Sequence, residues 1–179
     1  MYYSTTCTSP IGTLTLASSG DSLAGLWIEG QKYFGQSIPE EMTRKDELEI
    51  FELTRRWLDR YFTGRQPSVH ELPLSPAGSD FRKDVWDLLC EIPYGTVTTY
   101  GAIARKLAER TGRKSMAGQA VGGAVGHNPI STIIPCHRVV GSDGSLTGYA
   151  GGIDTKIKLL KLEGVDVSQF FAPSSHRLS

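Results

Sequence analysis

The sequence predicts an α+β chain in two parts: a small N-terminal β-sheet with one helix over residues 1–72, and a mainly helical part with a helix-turn-helix over residues 73–179. Three observations predict it. Up to about Gly35 the chain alternates short apolar runs with turn residues and shows no helical stripe. One amphipathic helix follows, and then a stretch over 65–79 in which Pro67, Pro73, Pro76 and Gly78 stand among Ser68, Ser75 and Ser79, the composition of a boundary. Beyond it, apolar residues recur at helical spacing, and two short helices meet at a Gly-containing turn.

Residues 3–7, 12–17 and 22–28 read as strands, broken at Pro10-Ile11-Gly12 and at Ser18-Ser19-Gly20-Asp21; the second break marks a hairpin. The first helix spans 43–62. Thr43 and Asp46 are spaced as a capping box, Leu53, Trp57 and Tyr61 form the inward stripe with Leu58 and Phe62 beside it, and Gly64 stops the helix. Ser79 caps a second helix over 80–91, with Phe81, Val85, Leu88 and Leu89 inward and Cys90 buried next to them. Residues 96–100 are extended. A short helix over 101–109 carries Ile103 and Leu107, and the basic turn Thr111-Gly112-Arg113-Lys114 leads into a helix of small residues over 116–125. Glycine costs about 1 kcal/mol against alanine inside a helix. A helix holding Gly118, Gly122 and Gly123 therefore makes sense where another backbone must come close, either a second helix or a nucleic-acid groove. Arg105, Lys106, Arg110, Arg113 and Lys114 surround it, opposed locally by Glu109, the footprint of a polyanion partner. A glycine-rich loop with Tyr149 fills 141–152. The last helix spans 154–163, with Ile157 and Leu160 inward. It ends on Glu163, where the helix dipole disfavours an acid unless a partner such as a histidine compensates; the other reading is a solvated terminal glutamate.

Composition narrows the function classes. No run of about eighteen apolar residues exists, so a membrane span is not expected. The start Met1-Tyr2-Tyr3 lacks the basic-then-apolar pattern of a secretory signal. Cys7, Cys90 and Cys136 are odd in number and far apart, which argues for a reducing cytoplasm and against a disulfide framework or a local zinc site. The net charge of zero hides a split. Residues 1–80 hold 7 Lys+Arg and 11 Asp+Glu, a net of −4; residues 81–163 hold 11 and 7, a net of +4.

The richest stretch is Pro135-Cys136-His137-Arg138-Val139-Val140, after Ile133-Ile134. β-Branched neighbours read as a short buried strand, with Pro135 holding Cys136 on a stiff piece of chain. A thiol beside an imidazole fits an activated nucleophile, and equally a buried inert cysteine with a chance histidine. On an extended segment the two side chains diverge, so a base role for His137 needs a bridge such as a water.

Ile133-Ile134-Pro135-Cys136-His137-Arg138-Val139 resembles the acceptor-site motif of the O6-alkylguanine-DNA alkyltransferases, the methylated-DNA–protein-cysteine methyltransferases. The resemblance continues in residues 93–100, Ala120-Val121-Gly122-Gly123-Ala124, Asn128-Pro129, Thr147-Gly148-Tyr149-Ala150-Gly151-Gly152, Lys156, Leu159-Leu160 and Glu163-Gly164. It is dense over about 80–166 and architectural only over 1–72. It implies a ribonuclease H-like N-terminal domain and a winged-helix-like C-terminal domain with a buried acceptor cysteine. It implies repair of double-stranded DNA by a monomer without cofactor or metal. The resemblance places the small-residue helix, with Ala120, Gly122, Gly123 and Ala124, in the minor groove, next to the DNA-binding candidates Arg113 and Lys114 of the turn before it, and would turn the damaged guanine out into a pocket. By the resemblance, Cys136 would take the alkyl group irreversibly, Glu163 would orient His137, and His137 would draw the thiol proton through a water. By the same resemblance, Tyr100 would protonate or hydrogen-bond the leaving guanine, Val139, Tyr149 and Ala150 would line the pocket, and Asn128 would tie the helix to the Cys136 segment.

Two residues depart from the pattern. Gln119 stands where many members carry an arginine that fills the gap of the flipped base, so slower extrusion is expected. Ala150 stands where many carry serine, so the preference among alkyl groups is expected to differ; the resemblance also allows O4-alkylthymine as a second substrate. Competing readings are a lesion-binding, non-repairing alkyltransferase-like protein, against which Cys136 itself argues, and a cysteine hydrolase, for which no oxyanion-donor motif is visible.

Overall fold

The computed structural model describes residues 1–172 of the chain. Its contacts divide them into two compact units: Met1–Gly78 with Pro129–Ile133, and Ser79–Asn128 with the chain from Ile134 onward.

In the first unit, β1 (Tyr2–Ser9), β2 (Gly12–Ser18), β3 (Leu23–Ile28) and β4 (Met42–Arg44) form one sheet in the order β3-β2-β1-β4. The first three pair antiparallel, and β4 runs parallel to β1. Helix α1 (Glu49–Phe62) lies on this sheet and buries Ile50, Phe51, Thr54, Trp57, Leu58 and Tyr61. The helix starts later than residue 43. Met42–Arg44 is captured by β1, and Asp46 accepts from Thr5 Oγ1 at 2.7 Å and from Arg44 Nε at 3.1 Å instead of capping a helix. The expected Thr43–Asp46 capping box is therefore absent, and Leu48 begins the helix with no side-chain cap.

The far edge of the sheet is covered by two passing segments. Leu23 N donates to Pro73 O and Ser75 N to Leu23 O, both at 2.8 Å, which binds residues 73–75 to the first unit rather than to the second. Leu26 N donates to Pro129 O at 2.8 Å and Ser131 N to Leu26 O at 3.0 Å. An open edge of β3 would offer unpaired donors and acceptors to other strands.

In the second unit, α2 (Asp80–Leu89), α3 (Tyr100–Thr111) and α4 (Gly118–Gly126) pack together. Ser79 and Thr99 cap the first two with their hydroxyls, and Gly112 closes α3 in the left-handed conformation at φ 71°. Cys90, expected to be buried, is the half-buried C-cap of α2. A two-stranded parallel ladder joins β5 (Thr98–Thr99), which precedes α3, to β6 (Val139–Val140). Helix α5 (Ile153–Leu162) follows the glycine-rich loop. Among the described residues, no helix is long and apolar enough to cross a membrane. The architecture is α+β: a small sheet with its helix, then a helical domain with a helix-turn-helix and a buried cysteine.

Candidate active site

Cys136 does not sit on a strand. Pro135 has φ −82° and ψ 64°, the geometry of an inverse γ-turn, and Cys136 N donates back to Ile134 O at 2.8 Å. Cys136–Arg138 then form one 3-10 turn, and the strand starts at Val139. The β-branched run had read as extended throughout; the turn at Pro135 interrupts it. Cys136 is the buried one of the three cysteines.

His137 and Glu163 are the next layer. His137 Nε2 lies 2.7 Å from Glu163 Oε2, and both side chains are closed off from solvent. Glu163 is the C-cap of α5, so the compensating partner anticipated for a terminal acid is this imidazole. Two further groups hold the same carboxylate. Arg138 donates through Nε to Oε1 at 2.8 Å and through Nη2 to Oε2 at 3.1 Å, and Gly95 N donates to Oε1 at 3.0 Å. Arg138 also donates through Nη1 to Ile92 O at 2.7 Å and lies over the Tyr94 ring. Gly95 must be glycine: its φ is +77°, and a Cβ there would come within 3.0 Å of the Glu163 carbonyl oxygen.

These contacts set the protonation states. Burial pushes the Glu163 carboxyl up, but hydrogen bonds and positive charge from His137 and Arg138 outweigh it and hold the group at about 2. The carboxylate is ionised, so Nε2 of His137 carries the proton and donates it to Glu163. Nδ1 is then the basic nitrogen of the ring. Burial lowers the His137 imidazole despite Glu163, which keeps it neutral and able to take a proton. Burial raises the Cys136 thiol, opposed by a hydrogen bond from Asn128 and by the charge of Lys156. Asn128 also donates through Nδ2 to Ile134 O at 2.8 Å, which locks the end of α4 to the chain entering the γ-turn.

Tyr100 opens α3. Its hydroxyl donates to Thr147 O at 2.8 Å, and burial pushes it up to about 12. A Cβ on Gly122 would touch its ring at 3.9 Å, and one on Gly148 would meet its hydroxyl at 2.6 Å. Tyr100 thus lies between the small face of α4 and the glycine-rich loop, where it can hand a proton to a group entering from that side. Val139 and Tyr149 are buried and Ala150 is half-buried.

Two family models match the chain: the ribonuclease-like domain of 6-O-methylguanine DNA methyltransferase over residues 1–76, and its DNA-binding domain over residues 80–165. The chain belongs to the 6-O-methylguanine DNA methyltransferase family. A methylated-DNA–protein-cysteine methyltransferase of Methanosarcina barkeri is 46% identical over 164 residues, covering 91% of this chain and 97% of the relative. That of Haemophilus influenzae is 40% identical over 165 residues, covering 92% and 87%. The solved structure of Mycobacterium tuberculosis OGT in complex with DNA is similar with a TM-score of 0.79 and 40% identity, over 94% of each chain. The O6-methylguanine methyltransferase of the same organism is similar at 0.77 and 39%, over 99% of each.

In this methyltransferase-family chain, Gln119, Ala120 and Gly123 are exposed on α4 and Gly122 is half-buried, so they share one open face. Ala124 does not. It is buried toward α2, and its carbonyl accepts from Trp86 Nε1 at 2.9 Å; its small size serves helix packing instead of a groove. Arg113 and Lys114 are exposed in the turn before α4 and line a hollow of about 400 Å³ with Arg105 and Glu109. Among the described residues, no three of the His, Cys, Asp and Glu side chains are grouped to hold a metal ion. Sequence reasoning missed Arg138, whose position beside Cys136-His137 in an apolar run was a signal, since a guanidinium there needs a buried acceptor. It also assigned no role to Lys156, although Lys156, Leu159 and Leu160 fall on one buried helical stripe.

Proposed function

We propose that this chain repairs double-stranded DNA by moving the alkyl group of O6-alkylguanine onto its own Cys136, once per molecule. It works as a monomer in a reducing cytoplasm, where the thiol stays available. The open face of α4 enters the minor groove, with Arg113 and Lys114 on phosphates, and the damaged base turns out toward Cys136. Gln119 occupies the space it leaves.

The chemistry follows from the protonation states. The Cys136 thiol proton passes through a water to Nδ1 of His137, and the imidazolium is stabilised by Glu163 through Nε2. The sulfur attacks the alkyl carbon, a C–S bond forms, the C–O bond breaks, and its electron pair goes to the guanine. Tyr100 supplies a proton to the departing base, and the imidazolium proton restores the balance. The product is a thioether, which nothing in the site can cleave, so the protein is consumed. Val139, Tyr149 and Ala150 bound the space for the base and its alkyl group.

The observation that carries this reading is the 2.7 Å contact between His137 and Glu163 directly after the chain's buried thiol. A module that only bound lesions would not need it. Incubation with an O6-methylguanine duplex should raise the protein mass by one CH2, at a stoichiometry of one per chain, with the label on the Cys136 peptide. Cys136→Ala should show none. An unchanged mass, with duplex still bound, would replace this reading with that of a lesion-binding protein.

A further inference from the structure

The inference concerns Arg138, and it rests on the proposed use of His137 as the base for the Cys136 thiol. A carboxylate with only an imidazole to face would lend that ring its whole negative charge. The ring would then take a proton from solvent and keep it, as an imidazolium beside an anion. Glu163 is not in that position. Its Oε2 accepts from His137 Nε2 at 2.7 Å and also from Arg138 Nη2 at 3.1 Å, while Oε1 accepts from Arg138 Nε at 2.8 Å. The guanidinium thus holds both carboxylate oxygens, including the one that faces the imidazole. Its Nη1 donates to Ile92 O at 2.7 Å, so it cannot swing away from Glu163 without abandoning a second buried acceptor.

Unlike an imidazole, a guanidinium keeps its charge at any ordinary pH. Arg138 and Glu163 therefore cancel, and with a neutral His137 the buried trio carries no net charge. The His137 and Glu163 side chains are closed off from solvent. A solvent proton on His137 would leave one uncompensated positive charge there, which is costly. A proton from Cys136 is different. The S–H bond breaks, sulfur keeps the electron pair, and an N–H bond forms at Nδ1, so the positive ring and the negative sulfur appear together.

We infer that Arg138 is a positioning residue that acts through Glu163: by sharing the carboxylate, it keeps His137 neutral toward solvent while leaving it a base for the thiol proton. The other groups around the ring agree with this. Burial is the largest cause that lowers the imidazole; Arg138, in the same turn, and Lys156, from α5, push the same way against Glu163. Tyr94, beneath the guanidinium, and Tyr100, at the start of α3, are both raised by burial, keep their protons and add no charge.

The first test needs no DNA, because an NMR titration of the His137 ring nitrogens reads the charge and tautomer of the ring. In the wild-type protein the ring should be neutral at pH 7, with its proton on Nε2. In Arg138→Met the His137 midpoint should rise by about 1–3. In Arg138→Lys, which retains the positive charge, it should stay near wild type. Single-turnover methyl transfer should follow. The acid limb of its pH profile should move upward in Arg138→Met and the rate should recover at alkaline pH, whereas a purely structural loss lowers the rate equally at every pH. A folded Arg138→Met with an unmoved His137 midpoint overturns the inference. If that variant does not fold, Arg138→Gln keeps a hydrogen-bond donor without the charge and is read in the same way. An imidazolium at pH 7 in the wild-type protein overturns the inference without any variant, and a neutral ring there supports it. Should the wild-type protein transfer no methyl group, the proposed function falls, whereas the His137 midpoint still reports on Arg138.

Discussion

At the scale of single residues, the site is built around one carboxylate with three claimants. Glu163 accepts from His137, from Arg138 and from the Gly95 amide. Removing its charge leaves the Arg138 guanidinium buried and unpaired, a change that typically costs about 3–5 kcal/mol. Glu163→Gln should therefore lower the unfolding free energy obtained from urea titration by that amount and slow methyl transfer, because the imidazolium formed during proton transfer loses its stabiliser. Acid should act on the same group. The folded Glu163 titrates at about 2 against an ordinary 4.5, so the unfolded chain binds more protons between those values. Its stabilisation, roughly 3 kcal/mol, is complete above about pH 4.5 and is lost as pH falls toward 2. His137 has the same sign: its folded value lies below the ordinary 6.5, so stability begins to fall on acidification from about that pH. Denaturant midpoints from pH 7 down to 3 should show both losses in wild type. Glu163→Gln should lack the lower one, and retention of the full acid slope in that variant would separate Glu163 from the effect.

At the scale of elements, Tyr100 shows how a helix start, a small-residue helix and a glycine loop cooperate. The phenol reaches Thr147 O because Gly148 has no side chain; a methyl there would meet the hydroxyl at 2.6 Å, and φ is +82°. The left-handed conformation alone costs about 1–2 kcal/mol for alanine. Gly148→Ala should therefore lower stability by at least that much and displace Tyr100, so that single-turnover methyl transfer falls about as far as in Tyr100→Phe. A transfer rate equal to wild type would show that the phenol does not act from this position. The helices were legible in the sequence where local signals and packing agree: Ser79 and the Val85, Leu88, Leu89 face for α2, and the Gly112 stop for α3. The start of α1 was not, because strand pairing with β1 captured residues 42–44 and the Asp46 carboxylate went to Thr5, a partner forty-one positions away in sequence. The Cys136 turn was not either. β-Branched flanks carry a strand signal, and the γ-turn at Pro135 is invisible to periodicity. For the candidate site, the pairing of His137 with Glu163 was legible from residue type and resemblance. Arg138 and Lys156 are held by contacts that the spacing of the chain does not reveal.

At the scale of the whole molecule, charge is divided along the chain: a net of −4 over residues 1–80 and +4 over residues 81–163. The zero total therefore says little about affinity for DNA, since the basic half contains α3, α4 and the turn between them. Binding that displaces counterions from a duplex makes log affinity fall linearly with log salt, with a slope of about −0.9 for each phosphate neutralised. Arg113 and Lys114 are exposed in that turn and are held by no ion pair among the described residues, so both are available to phosphates. Arg110 is less so, since Glu91 already holds it at 2.6 Å. The full-length protein should thus bind undamaged duplex with a clear negative salt slope, and Arg113→Ala with Lys114→Ala should make that slope shallower by about 2. Arg110→Ala should change it less, because part of its charge is spent on Glu91. The loss should be the same for duplexes of different sequence, as expected of contacts that position a protein without reading bases. Fluorescence anisotropy across a salt series distinguishes the outcomes, and a slope indifferent to residues 113 and 114 would move the phosphate contacts away from this turn.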